Sequence, residues 1–161
     1  MAIPRNLANI APSVAGNSDG VTGITFAATQ SASADANTLD DYEEGTWTPT
    51  ILFGGNGVGQ SYTFQLGAYT KIGRMVQLNF FVLLSNKGSS TGAMSLGGAP
   101  FSPTSYFSGA VDVHNTTYTG QYVMYGFGLT QVTEGGTQTN LTNSNASNSS
   151  VITGTINYII A

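Results

Sequence analysis

The sequence predicts an all-β chain, an antiparallel β-sandwich of the jelly-roll type, and two observations favour this fold class. Apolar and polar residues alternate with a period of two in several segments after Trp47, which indicates half-buried strands. Turn-forming residues interrupt the chain about every 8–12 residues, a spacing typical of sandwiches and barrels. A sustained helical period is lacking after residue 45, so we expect almost no helix there.

The segment from Arg74 to Ser85 has the clearest strand pattern. One face is wholly apolar and the other mixes polar residues with Phe81 and Leu83, so we expect the first face to be buried and the second to be partly covered. Gly73 is expected to reverse the chain just before this strand. The apolar face consists of Val76, Leu78, Phe80, Val82 and Leu84.

Shorter strands and turns complete the predicted sandwich. We expect glycine-rich hairpin turns at residues 54–59 and at Gly135-Gly136, and an Asn/Ser loop over residues 143–150. Gly45 is expected to turn the chain into the first strand. The remaining predicted strands are Tyr62–Gln65, Ala68–Ile72, Ala93–Leu96, Tyr106–His114, Gly120–Thr133, Thr137–Thr142 and Val151–Ile160.

Composition excludes several classes of function. The 161 residues carry a net charge of −4 with only four Lys and Arg, so the basic stripe that a nucleic-acid partner requires is missing. Without cysteine there is neither a disulfide nor a thiolate metal site. No apolar run reaches the ~20 residues of a membrane helix, and the first residues lack a signal-peptide layout. We expect no membrane insertion, and synthesis in a cytoplasm.

Residues 1–36 differ from the rest of the chain, because they hold too few large apolar residues to form a core of their own. Two interpretations remain open: a disordered tail, or an extended arm that orders against another protein. For the arm, the candidate docking residues are Ile3, Pro4, Arg5, Leu7 and Ile10.

Two groups of residues could in principle support catalysis. His114 is the single histidine, and Asp112 shares its face on a predicted strand, as in part of a Ser-His-Asp triad. The alternative is an ordinary polar histidine at a strand end. Asp40, Asp41, Glu43 and Glu44 form the only carboxylate cluster, and they are interpreted as a subunit-interface run or as a solvated run. Lys71 and Arg74 are the expected partners of this run across a subunit boundary.

The aromatic residues are the better candidates for binding. Tyrosine on a polar β-surface can stack on a sugar ring while its hydroxyl forms hydrogen bonds. Ordinary strand packing and burial at a subunit interface are the alternatives. The candidate glycan or interface residues are Trp47, Tyr69, Tyr106, Tyr118, Tyr122 and Tyr125.

Three motifs resemble a known family. Residues 39–49 read Leu-Asp-Asp-Tyr-Glu-Glu-Gly-Thr-Trp-Thr-Pro, residues 67–74 read Gly-Ala-Tyr-Thr-Lys-Ile-Gly-Arg, and residues 97–101 read Gly-Gly-Ala-Pro-Phe. In this order they are similar to the C-terminal β-domains of bacteriophage tail fibres and tailspikes, and residues 154–158 look like the closing strand of such a domain. The resemblance covers residues 38–161.

The resemblance implies a homotrimeric β-sandwich tip domain over residues 38–161, preceded by an extended N-terminal docking arm over residues 1–37. Lytic activity in such proteins usually belongs to an upstream β-helix, so we expect this chain not to be an enzyme. The resemblance also implies that the protein is part of a virion.

We therefore expect a virion structural protein, a small tail-fibre or tailspike-type knob that binds another virion protein through its arm and contacts a host-surface polysaccharide. We expect neither a cofactor nor a metal. The first alternative is a capsid-decorating or baseplate protein that binds no receptor. The second is a hydrolase that uses Asp112 and His114 or the acidic run.

Overall fold

The computed structural model describes Asp35, Leu39 and residues 41–161 apart from residues 119 and 133–137. Within this part of the chain the fold is all-β and antiparallel, as predicted, and no helix occurs. The strands are β1 (Tyr42–Trp47), β2 (Thr50–Phe53), β3 (Gln60–Ile72), β4 (Met75–Lys87), β5 (Met94–Gly97), β6 (Ser108–Thr116), β7 (Gln121–Tyr125), β8 (Gly128–Val132), β9 (Gln138–Asn140) and β10 (Ala146–Ile159).

The strands form one ten-stranded sheet in the order β1-β3-β4-β10-β6-β7-β8-β5-β2, with β9 paired to β8. β6 joins the two halves, because its residues 111–114 pair with β10 whereas residues 108–110 pair with β7. Buried side chains of β4 and β10 belong to the same core cluster as those of β2, β5 and β7. This arrangement is consistent with a sandwich whose two layers share one interior.

The alternation in β4 is confirmed in detail. Val76, Leu78 and Val82 are fully buried, and Phe80 and Leu84 are buried almost as completely. Burial of each such side chain contributes about 1.5–3 kcal/mol to folding. Phe81 and Leu83 on the other face are half-buried, so the prediction of partial cover on that face is also confirmed.

Gly73 reverses the chain between β3 and β4, as predicted. Its φ of 55° lies in the left-handed region, which glycine adopts at little cost. Ile72 and Met75 pair directly across the turn. The hairpin fixes the register of the two longest neighbouring strands, and hence which of their side chains face outward.

Gly45 does not turn the chain, so that prediction is wrong. It lies inside β1 opposite Tyr69, and a Cβ there would lie 2.8 Å from Cε1 of the tyrosine ring. Gly67 of β3 likewise lies opposite Trp47 of β1. A Cβ at Gly67 would lie 2.7 Å from Cδ1 and Nε1 of the indole. Each glycine leaves room for an aromatic ring to cross the neighbouring strand.

Several predicted boundaries are wrong, because turns and pairing partners are not encoded in periodicity alone. Residues 62–72 form one strand instead of two. The predicted strand over residues 120–133 is divided by a turn at Gly126, whose φ is 59°. β10 begins at Ala146, inside the predicted Asn/Ser loop.

The glycine-rich segment over residues 54–59 is not a hairpin tip. It links β2 to β3, and β2 pairs with β5, whereas β3 pairs with β1 and β4. The predicted turn at Gly135-Gly136 lies outside the described residues, although β8 and β9 on either side of it pair antiparallel. In the part of the chain that the structure describes, no helix is both long enough and apolar enough to cross a bilayer.

Candidate functional site

Several exposed apolar side chains lie on the face of β3, β4 and β10 that points away from the core, here called the outer sheet face. Leu66 lies opposite Phe81, and Phe81 lies opposite Thr153, so this register places their side chains on the same side of the sheet. The main apolar members of the outer sheet face are Phe64, Leu66, Met75, Phe81, Leu83 and Ile159.

These side chains remain accessible to solvent in a single chain. Leu66 is 62% exposed, Phe64 55% and Met75 47%. Contiguous apolar patches of this kind on soluble proteins mark interaction sites more often than they mark ordinary surface. Among the residues that the structure describes, none covers these exposed side chains of the outer sheet face.

The outer sheet face has no charge in its middle and a charged rim. All residues of β3, β4 and β10 are described, and none of those facing outward is ionisable. Outward-facing Glu44 lies on the neighbouring strand β1, and Asp112 and His114 lie on β6. The middle also carries uncharged polar side chains such as Asn79 and Thr155, and an uncharged centre with a charged rim is the usual anatomy of a protein–protein interface.

A shallow groove of about 660 Å³ crosses the outer sheet face near Leu66, Phe81, Thr153 and Asp112. Its hydroxyls bond within the chain: Thr155 Oγ1 donates to Asn79 Oδ1 at 2.7 Å, and Thr153 Oγ1 donates to the Phe80 carbonyl at 2.9 Å. These polar groups do not need a ligand to satisfy them.

A second surface is formed by Tyr106 and Tyr125. The two rings stack with centroids 5.2 Å apart and an angle of 13° between their planes. Tyr106 is 81% exposed and Tyr125 is 55% exposed. An adjacent groove of about 400 Å³ is lined by residues 103–107 together with Gly126 and Phe127.

The other predicted binding residues lie elsewhere. Trp47 is 8% exposed, belongs to the core and packs edge-on against Phe80, so it is not a surface platform. Tyr69 is half-buried and packs edge-on against Phe101. The four tyrosines of the second half separate into two pairs, because Tyr122 and Tyr125 point to opposite faces of β7.

Tyr118 and Tyr122 form the other pair, with ring centroids 5.5 Å apart and an edge-on arrangement. Both are half-buried. The Tyr122 hydroxyl lies 2.6 Å from Thr116 Oγ1 and also donates to the Tyr118 carbonyl. These contacts hold the link between β6 and β7, which agrees with the packing interpretation for this pair.

The acidic run pairs within its own chain where it is described. Asp41 and Lys71 form a buried ion pair, because β1 lies antiparallel to β3. The Tyr69 hydroxyl donates to Glu43 at 2.6 Å, and this bond raises the tyrosine pKa. Lys71 was expected to pair with the acidic run of a neighbouring subunit. It pairs instead with Asp41 of its own protomer.

Three further candidates for a subunit interface have different surroundings. Glu44 accepts a hydrogen bond from the Tyr42 hydroxyl at 2.7 Å, which raises the pKa of Tyr42. Arg74 is exposed beside the β3–β4 turn. Asp40 lies outside the described residues, as do all five docking candidates, Ile3, Pro4, Arg5, Leu7 and Ile10.

His114 and Asp112 do form a pair, with Nε2 and Oδ2 2.8 Å apart. Their side chains are 59% and 63% exposed, so water screens the interaction strongly. No hydroxyl of the described residues bonds to this histidine in the way that a triad nucleophile would. Nor do the described residues contain a group of three or more ionisable side chains that could hold a metal ion.

Sequence reasoning missed Phe64 and Leu66 as exposed members of the outer sheet face. The predicted strand stopped at Gln65, although Phe64, Leu66 and Ala68 continue the two-residue period. This two-residue period could have shown that the strand continues past Gln65 and that Phe64 and Leu66 share one face. Comparison of the chain with protein-family models, with curated proteins and with solved structures finds no match.

Proposed function

We propose that this protein is a structural component of a bacteriophage particle, a trimeric knob of the tail-fibre or tailspike type. In this proposal residues 38–161 form a jelly-roll-like tip, residues 1–37 form an extended arm that docks onto another virion protein, and the tip contacts a host-surface polysaccharide. The observation that carries the proposal is the outer sheet face, whose central strands present exposed apolar side chains and no outward charge.

The size of that face suits association between copies. β3, β4 and β10 have 13–14 residues each and, at about 3.3 Å per residue and about 4.8 Å between strands, span on the order of 600 Å². The rim strands β1 and β6 raise this area to the order of 800 Å². A standard protein interface buries about 800 Å² on each partner.

A second copy of this chain is the occupant that the residues favour. The face offers no ionisable group at its centre with which to select a charged partner, and its net-negative surroundings give no attraction for a nucleic acid. Matching apolar faces around a closed symmetry axis leave no exposed copy of the patch. The three-fold order itself comes from the motif resemblance.

The role in a particle is tested on purified phage. We expect the protein in particle preparations at a constant copy number, and antibody labelling at a tail tip. A chain that lacks residues 1–36 is expected to fold and associate but not to join particles. Absence of the intact chain from particles would refute the role, and normal incorporation of the truncated chain would refute the docking arm alone.

A capsid-decorating or baseplate protein is the second candidate. The same outer sheet face would serve assembly equally well without any receptor. Labelling on the capsid or baseplate, together with no binding of the assembled knob to host cells, would favour it over the attachment role. Multivalent presentation is required in this assay, because three weak sites act together.

A further inference from the structure

We infer that the stacked pair Tyr106 and Tyr125 is a platform for a neutral hexopyranose unit of a polysaccharide. This inference rests on the proposed attachment function, which it deepens by naming the ligand class and the binding residues. The pair lies beside the groove formed by residues 103–107 and residues 126–127.

The exposure of the pair is the first argument. Tyr106 is 81% exposed and Tyr125 is 55% exposed, although both are large aromatic side chains. Their rings are nearly parallel, at 13°, so each ring restricts the other while one broad aromatic surface stays open to solvent. The C–H face of a pyranose packs on such a surface, and the tyrosine hydroxyls can bond the sugar hydroxyls at its edge.

The platform rests on a rigid base. Phe107 stacks on Tyr158 with centroids 5.1 Å apart and packs edge-on against Phe127 at 5.1 Å. The Gly126 amide donates to the Phe107 carbonyl at 2.8 Å, which ties the turn after Tyr125 to the segment after Tyr106. A preorganised site binds a ligand without an additional ordering cost.

Thr104 fixes the other wall of the groove. Its amide and its hydroxyl both donate to the Ile159 carbonyl, at 2.9 Å and 3.0 Å. A threonine hydroxyl that donates in this way still has lone pairs with which to accept from a ligand. Together with Ser105, it places hydroxyl oxygens beside the aromatic surface.

Charge and size define the class of sugar. The residues that line the groove include no Asp, Glu, Lys, Arg or His, so the site offers no cation for a carboxylate sugar and no anion for an amino sugar. The groove of about 400 Å³ lies within the range of about 300–1,000 Å³ that is usual for small-ligand sites. A neutral hexose unit fits both properties.

Saturation-transfer NMR and calorimetry on the full chain test the inference, with neutral gluco-, manno- and galacto-trisaccharides as probes. We expect at least one of these probes to bind. Tyr106→Ala and Tyr125→Ala should each weaken its binding at least about tenfold, and Tyr106→Phe should keep most of it. Val58→Ala, which removes an exposed apolar side chain in the link between β2 and β3, is the control and should bind normally.

Three results would overturn the inference. They are no binding of any probe at about 10 mM, binding that both alanine variants retain, and dissociation of the assembled protein in either alanine variant, which would make the pair a subunit contact. Sugar binding by a chain that is missing from phage particles would leave the platform in place and refute the proposed function. The two failures are therefore distinguishable.

Discussion

Lys71 and Asp41 form an ion pair that is almost fully buried where β3 meets the chain entering β1, with side chains 7% and 6% exposed. The Lys71 ammonium also lies 5.6 Å from the centre of the Phe101 ring, a favourable cation–π geometry. The first and second sequence motifs thus meet in one charged contact, and Phe101 of the third motif covers it.

Replacement of one partner of this pair should destabilise the fold. Lys71→Met leaves the Asp41 carboxylate buried without its counter-ion, which typically costs about 3–5 kcal/mol. Arg74→Met removes a cation from an exposed position three residues away, and it should change the free energy of unfolding by less than about 0.5 kcal/mol. Urea unfolding of both variants measures the difference, and equal effects would contradict the structural role of the pair.

Gly67→Ala should displace the indole of Trp47. An added Cβ would lie 2.6 Å from the Trp47 carbonyl oxygen and 2.7 Å from Nε1, and overpacking of this kind costs about 1–3 kcal/mol. Since Trp47 is the only tryptophan, its fluorescence reports this site alone and should shift to the red. Gly128→Ala is the control that should leave the spectrum unchanged, because an added Cβ there would lie 3.4 Å from its nearest neighbour, the Tyr125 carbonyl oxygen.

Alkaline pH should weaken the fold through Tyr158. Burial raises the pKa of Tyr158 from 10.0 to about 12, so the folded protein holds the phenol proton more tightly than the unfolded chain does. Its contribution to stability is therefore complete below about pH 10 and is lost between about pH 10 and pH 12.

Tyr158→Phe isolates this contribution, because the other tyrosines are common to both proteins. At about pH 9 the wild type should be the more stable by about 0.5–1.5 kcal/mol, the usual value of one hydrogen bond, here the bond from Tyr158 to the Phe101 carbonyl. The difference in the free energy of unfolding should narrow as the pH rises above about 10. A constant difference up to about pH 12 would contradict the assignment.

Leu66→Lys should dissociate the assembled protein. Leu66 is 62% exposed at the centre of the outer sheet face, and a cation there would lose its hydration on association without gaining a partner. Val58→Lys is a matched control, since Val58 is 64% exposed but lies in the link between β2 and β3. Sedimentation at micromolar concentration should show a lower mass for Leu66→Lys alone, and similar masses for the two variants would exclude the outer sheet face as the interface.

The sequence predicted the part of the fold that depends on local periodicity. In β4 one face is apolar at every second position, so the buried side of the sheet followed directly. The hairpin at Gly73 followed from a glycine between two polar-apolar segments. Periodicity could not predict that β6 pairs with β10 along one part of its length and with β7 along another. Pairing partners are set by contacts between residues that are distant in sequence.

The candidate sites were predicted only in part. Tyr106 and Tyr125 were among the candidates, but their separation from Tyr118 and Tyr122 depends on the turn at Gly126 and on which face of β7 is buried. Lys71 was assigned to a subunit boundary as a partner of opposite charge for the acidic run, whereas it pairs with Asp41 inside the same protomer. Lys71 lies two residues after Tyr69 on the same strand, so both side chains point to the same face of β3. This spacing was the signal in the sequence that Lys71 is buried.

The mass of the unmodified full chain in solution tests the central claim most directly, since that claim is that copies of the outer sheet face cover one another. Sedimentation equilibrium over a range of micromolar concentrations should give three times the mass of the 16.7 kDa chain. A stable species of 16.7 kDa throughout that range would contradict the account.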